Sequence, residues 1–230
     1  MKRIISLMLC SLMLVAVASG CGGKQKSNKK EEANYMVQFS QLKAGEDIAV
    51  MKTNMGTIKI RFFPQYAPKA VENFITHSKE SYYNGLTFHR VFDEFMIQGG
   101  DPLGDGTGGE SIWGEPFEDE FSVNLMPYRG ALCMANSGSN TNGSQFFIVQ
   151  NKKMDPDYST AMRNGGFPEE IIKKFEEVGG TPWLYGKHTV FGQVIEGMEV
   201  VDAIAKVSAN KEGKPDQAVI IETITIEKAK

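Results

Sequence analysis

From about Ala49 to Glu227 the chain is built of short runs in which apolar and polar residues alternate, and most of these runs predict strands. Ala49-Val50-Met51-Lys52-Thr53 and Thr57-Ile58-Lys59-Ile60-Arg61-Phe62 flank an Asn54-Met55-Gly56 turn and pair as a hairpin. Pro68 opens a helix whose apolar stripe is Val71, Phe74 and Ile75, and which ends before Tyr83-Asn84-Gly85. Strands follow over Thr87–Phe92 and Phe95–Gly99, then a glycine-rich loop to Gly114. Asn142-Gly143 predicts a turn into a strand over Ser144–Gln150. A second helix, around Met198–Ala205, carries Val200, Val201 and Ile204, and Val219–Glu227 closes the chain as a last strand. Many short strands with two helices imply an antiparallel barrel or sandwich; a barrel suits two helices able to plug its two ends.

Three strand positions do not fit a simple core. Phe88-His89-Arg90-Val91-Phe92 carries a guanidinium, Phe95-Met96-Ile97-Gln98-Gly99 an amide, and Ser144-Gln145-Phe146-Phe147-Ile148 another. Burying a guanidinium is costly unless something engages it. One face of the sheet is therefore expected to be a working surface, with Arg90, Gln98 and Gln145 upon it.

The N-terminus changes the setting. Met1-Lys2-Arg3 is a positive start, and the apolar run Ile4–Val17 is too short for a spanning helix. Ala18-Ser19-Gly20 then leads to Cys21, an order that resembles a bacterial lipoprotein signal, with alanine where leucine is usual three places before the cysteine. The expectation is a signal over residues 1–20, lipidation of Cys21 and a membrane anchor on the extracytoplasmic face; an ordinary cleaved signal with Cys21 incidental is the alternative. Residues 22–34 are polar and charged and read as a flexible tether, leaving residues 35–230 as one domain.

Composition narrows the function classes. The formal charge of −3 becomes more negative when Lys2 and Arg3 leave, and no basic patch interleaves with aromatics, so nucleic acid is not an expected partner. Gly104-Asp105-Gly106-Thr107-Gly108-Gly109 fits a nucleotide fingerprint in letters alone. It runs on into Ser111-Ile112-Trp113, which opens no helix, and reads as a shaped loop bordering a groove. His77, His89 and His188 lack metal-ligand spacing, so no metal site is expected. Cys133, within Ala131-Leu132-Cys133-Met134, reads as a core thiol.

Taken together, several motifs resemble cyclophilin-type peptidyl-prolyl isomerases. They are Phe88–Phe92, Phe95–Asp101, Gly106–Gly109, Ala135-Asn136, Asn140–Phe147, Trp183-Leu184 and Gly186-Lys187-His188, in the family's order and across nearly the whole domain. The resemblance implies a closed eight-stranded antiparallel barrel capped by two helices, with its active site on the outer face. It implies Arg90 as the catalytic side chain and Phe95, Met96, Phe147, Leu184 and His188 as the proline pocket. Gln98 and the Asn136 backbone would hold the substrate main chain, and Ala135, Gln145 and Trp183 would complete the groove. Trp183 stands at the position associated with cyclosporin binding. The implied substrates are unfolded or partly folded exported proteins with X–Pro bonds, and the chemistry calls for no cofactor. A proline-peptide binding module that chaperones or scaffolds without turnover is the alternative.

The sequence departs from a minimal member of that family at Ser137, where alanine is common, and in an inserted segment, residues 151–180. Within it Pro168–Val178 predicts an amphipathic helix with Ile171, Ile172, Phe175 and Val178 on its buried stripe. Because this segment precedes Trp183, it is expected either to border the active face and extend the substrate platform, or to be a packed surface elaboration.

Overall fold

A computed structural model of the chain describes residues 33–230. The expected signal, Cys21 and the tether as far as residue 32 lie outside the described residues. Packing begins at once: the Asn34 backbone N–H donates to Asn124 Oδ1 at 2.7 Å.

Eight strands form one antiparallel sheet: β1 (Asp47–Thr53), β2 (Gly56–Phe62), β3 (Arg90–Phe92), β4 (Met96–Gly99), β5 (Ala131–Met134), β6 (Phe146–Val149), β7 (Val190–Glu196) and β8 (Ile221–Lys228). Their spatial order is β3-β4-β6-β5-β7-β2-β1-β8. The edge strands β3 and β8 share no ladder. The seam is crossed at a Thr87–Ile220 bridge, and the Phe88 N–H reaches the Val219 carbonyl at 2.9 Å. The Val91 N–H donates to the Gly213 carbonyl at 2.8 Å instead of to a strand. The sheet is thus a curled half-barrel, a correction to the closed barrel expected from the sequence. The reason is local: β3 is three residues long, and the turn around Gly213 occupies the place where a continuing ladder would run.

Four α-helices occur among the described residues: α1 (Pro68–Lys79), α2 (Pro156–Asn164), α3 (Glu169–Val178) and α4 (Met198–Ala205). In α1, Pro68 occupies the first turn, and the Glu120 carboxylate receives the N–H groups of Lys69 and Ala70 at 3.1 and 2.9 Å. Helix α3 matches the expected amphipathic segment, with Ile171, Ile172 and Phe175 buried. Helix α2 was not expected from the apolar pattern; its start is set by Asp155, which accepts the Asp157 N–H at 2.9 Å. The expected Asn142-Gly143 turn is also different: Asn142 is fully buried and bridges Phe117, while the chain reverses around Gly138 and Asn140, both at positive φ.

The two-residue period of the strands sorts the side chains into two layers. Inward, Met51, Ile58, Ile60, Ile97, Leu132, Phe146, Ile148 and Phe191 join Phe74 of α1 and Val201 and Ile204 of α4 in the main core. Outward, Met96, Ala131, Cys133, Phe147, Val149 and Val190 form a second apolar layer with Phe63 and Leu125. Cys133 is fully buried, and burial pushes its thiol pKa far up, so it is a core residue. The second layer is the floor on which the candidate site stands.

Candidate active site

The outward layer leaves a cavity of about 150 Å³ lined by Arg90, Phe95, Met96, Gln98, Ala135, Asn136, Phe147, Leu184 and His188. Nine of the residues expected from the sequence therefore meet in one place, drawn from β3, β4 and the turn between them, β6, and the segments after β5 and before β7. Met96 and Phe147 are at once buried floor and cavity lining. An adjoining groove of about 380 Å³ shares Gln98, Ala135 and Asn136 with the cavity and adds Gly106–Gly109, Ser137, Thr141, Gly143 and Gln145. Trp183 stands beside the cavity, stacked over Phe95 with centroids 6.2 Å apart and planes 26° apart.

Arg90 opens β3 and pairs across the ladder with Gln98. Its guanidinium lies over the Phe92 ring at 4.8 Å, and Nη1 donates to Gln98 Oε1 at a long 3.4 Å. Partial burial lowers its pKa somewhat, yet it remains a cation at any working pH. The amides behind it form a relay. Gln145 Nε2 donates to the carbonyls of Gly106 and Gly108 at 3.0 and 2.8 Å, and these oxygens can only accept. That orientation turns Gln145 Oε1 toward Gln98 Nε2 at 2.9 Å and leaves Gln98 Oε1 for Arg90. The glycine-rich loop thus sets the pose of the arginine through two amides. A side chain at Gly109 would strike Ser144, and one at Gly143 would strike Gly109, so these glycines serve close loop packing.

On the opposite wall the Asn136 side chain donates to the Lys187 carbonyl at 2.9 Å, while its backbone N–H and carbonyl bind no other group among the described residues. They are free to pair with an extended peptide. His188 Nδ1 lies 3.0 Å from the Met134 carbonyl, so it carries the ring proton, and the ring stands edge-on to Phe147 at 5.2 Å. Burial lowers the His188 pKa, and the ring is neutral near pH 7.

Sequence reasoning did not single out Asp119, Thr141 or Tyr158. The Asp119 carboxylate accepts the Asn140 N–H at 2.8 Å and Asn142 Nδ2 at 2.9 Å, and so shapes the loop that carries Asn136. Thr141 accepts the Ser137 N–H at 2.9 Å in the same loop. Asp119 sits in no periodic segment and in none of the motifs, so no pattern marks it; Thr141 lies within the Asn140–Phe147 motif, which does not set it apart from its neighbours. Tyr158 lies on α2, whose Asp155-Pro156 start is a readable helix signal.

His77, His89 and His188 all have pKa values pushed below 6.5, chiefly by burial. An unfolded chain takes up protons on these rings as the pH falls through about 6.5, whereas the folded chain resists to a lower pH. The unfolded state then binds more protons, so stability falls as the pH drops from about 7 to about 5. The urea midpoint is expected to be lower at pH 5.5 than at pH 7.5; an equal or higher midpoint at pH 5.5 would contradict this.

Residues 48–226 match the protein family described as cyclophilin type peptidyl-prolyl cis-trans isomerase/CLD. A curated protein of Staphylococcus aureus (strain USA300), named "Putative peptidyl-prolyl cis-trans isomerase", is 52% identical over 195 residues, covering 85% of this chain and 99% of that one. A relative of the same name from Staphylococcus epidermidis is 50% identical over 194 residues, covering 84% of this chain and 98% of its own. Among solved structures, a Cryptosporidium parvum cyclophilin type peptidyl-prolyl cis-trans isomerase is similar at a TM-score of 0.64 and 34% identity, over 80% of this chain and 98% of that one. The same parasite protein, solved in the presence of the dipeptide ala-pro, is similar at the same TM-score.

Proposed function

This chain belongs to the cyclophilin-type peptidyl-prolyl cis-trans isomerase family and is an isomerase of X–Pro bonds; we propose that Arg90 carries the rotation and that exported proteins are the substrates. An X–Pro bond resists rotation because the nitrogen lone pair is delocalised into the carbonyl, a barrier of roughly 18–20 kcal/mol. At the upper value the uncatalysed rate is about 0.01 per second. A guanidinium N–H directed at the prolyl nitrogen bonds the pyramidal, unconjugated atom far better than the planar one. The interaction strengthens only as conjugation is lost, so it is selective for the transition state. A planar fork can hold the neighbouring carbonyl as well, which a lysine could not do.

The observation that carries this reading is a cation at the rim of a small cavity with an apolar floor of Met96 and Phe147, with one long hydrogen bond to Gln98 as its polar tie. Phe95, Met96, Phe147, Leu184 and a neutral His188 would enclose the proline ring. Gln98 and the Asn136 backbone would hold the flanking main chain, so that one end stays fixed while the other swings. Ala135, Gln145 and Trp183 would complete the groove, with Trp183 the wall against which cyclosporin would lie. No covalent step enters the scheme.

The substrate class and location rest on the N-terminus. The order Lys2-Arg3, apolar run, Ala18-Ser19-Gly20-Cys21 supports export and lipidation of Cys21, with the domain tethered on the extracytoplasmic face of the cell membrane. One experiment tests the whole reading. Membranes from cells expressing the full chain should accelerate cis/trans exchange of an Ala-Pro peptide followed by NMR, cyclosporin should suppress it, and radiolabelled palmitate should mark wild type but not Cys21→Ala. Exchange no faster than in membranes lacking the protein would sink the catalytic part, and equal labelling of the two chains would sink the anchor.

A further inference from the structure

The inserted segment 151–180 is fastened at its base and then reaches back toward the groove. The N–H groups of Gln150 and Asn151 both donate to the Phe95 carbonyl, at 2.8 and 3.1 Å, and Asn151 Nδ2 clasps the Gly180 carbonyl at 2.8 Å. Its two helices bury Met162, Ile171, Ile172 and Phe175 against Met126 and Tyr128. Tyr158 takes no part in that anchoring and stays 37% exposed. Its ring instead lies against Trp183, with centroids 4.9 Å apart and planes 32° apart, and Trp183 in turn stacks on Phe95 at the cavity wall. Three rings thus form a row that starts at the proline cavity and ends on the insertion.

We propose that Tyr158 extends the proline groove into an aromatic subsite, which selects substrates with a large apolar or aromatic side chain on one flank of the proline. The inference rests on the isomerase reading above and deepens it. The cavity opens in two directions of unlike chemistry. Gln98 and Asn136 lead into the polar groove of the glycine-rich loop, and Phe95 leads to Trp183 and Tyr158. A peptide with its ring in the cavity sends one flank along each. The ring-to-ring steps of 6.2 and 4.9 Å put Tyr158 within about three residues of extended chain from Phe95, so the subsite reaches side chains near the proline. Flat aromatic faces favour stacked or edge-on partners beyond the area they bury, while the exposed Tyr158 ring leaves room for one.

The test uses purified protein and a set of alanine peptides with one central proline, each carrying a single Phe at one of two positions on either side. Exchange is measured by NMR for wild type, Tyr158→Ala and Tyr158→Phe, and read as the kcat/KM ratio of each Phe peptide to the all-alanine peptide. That ratio is internal to each variant and independent of the fraction folded. Wild type should favour Phe by about 2- to 10-fold on one flank only, through KM; Tyr158→Ala should bring the ratio to about one, and Tyr158→Phe should keep it. A ratio that survives Tyr158→Ala, or that is the same on both flanks, overturns the subsite. Absence of exchange on every peptide with wild type would instead overturn the isomerase reading and the subsite with it.

Discussion

Arg90→Ala is expected to lower kcat/KM on an Ala-Pro peptide by about 100- to 1000-fold, the loss usual for removing one preorganised donor that acts on the transition state. Turnover near 100–1000 per second needs a barrier roughly 5.5–7 kcal/mol below the spontaneous one, and in the proposed mechanism a guanidinium that engages the prolyl nitrogen only in the twisted state would supply a large share of it. Peptide affinity should change by less than about tenfold, since in the proposed pose the ring would be held by Phe95, Met96, Phe147 and Leu184 rather than by charge. The fold should tolerate the change, because Arg90 is only half-buried and its polar tie to Gln98 is long. Arg90→Lys should recover little, as an ammonium lacks the fork. Exchange spectroscopy paired with calorimetric binding separates the outcomes: turnover within about fivefold of wild type would remove Arg90 from the mechanism. A wild type that binds without accelerating exchange would return the protein to the class of proline-peptide binding modules.

Phe74→Ala should have the largest effect on stability, a loss of about 3–5 kcal/mol. Phe74 is fully buried on the inner face of α1, with its ring centroid 5.7 Å from Phe62, 5.1 Å from Tyr83, 5.3 Å from Phe146 and 5.6 Å from Phe191. It is thus the contact by which one helix binds β2, β6 and β7 together. Truncation leaves a cavity walled by rings, which no water would satisfy, and those rings sit on strands whose ladders limit their collapse. For a domain of this size the melting temperature should fall by about 10 °C or more. The peptide groove lies on the other face of the sheet, so kcat per folded molecule should stay within a few-fold of wild type. A drop of under about 3 °C would mean that the cluster repacks around the loss.

Much of this protein is legible in its residues because the relevant signals are local. Alternation in Ile58-Lys59-Ile60 and Phe146-Phe147-Ile148 marks strands and assigns their faces, since successive side chains point to opposite sides whatever the sheet does elsewhere. Pro68 and the Ile171, Ile172, Phe175 stripe mark helices by chemistry contained within each helix. Arg90, Gln98 and Gln145 stand out because a cation or an amide on an apolar strand demands a reason. The motif order names the same residues, of which nine line one cavity, Gln145 lines the neighbouring groove, and Trp183 stands beside the cavity against Phe95.

Other features depend on chain segments distant from one another, and no window of sequence contains them. Whether the sheet closes turns on the Val91 N–H finding Gly213, more than a hundred residues away, rather than a strand. The buried bridge at Asn142 depends on Phe117, and the sense of each amide in the Gln145–Gln98–Arg90 relay depends on the carbonyls of Gly106 and Gly108. The insertion announces one helix by its stripe, but that Tyr158 meets Trp183 follows from the Asn151–Gly180 clasp and the packing of α2 on α3. The sequence by itself determined most of the elements and their faces, because propensity and periodicity act over a few residues, and the order of its motifs named the candidate site residues; β5, β7 and α2 were not among those elements. Only the tertiary structure decided the open seam, the relay behind the arginine and the reach of the aromatic row, because each is a contact between parts of the chain that folding alone brings together.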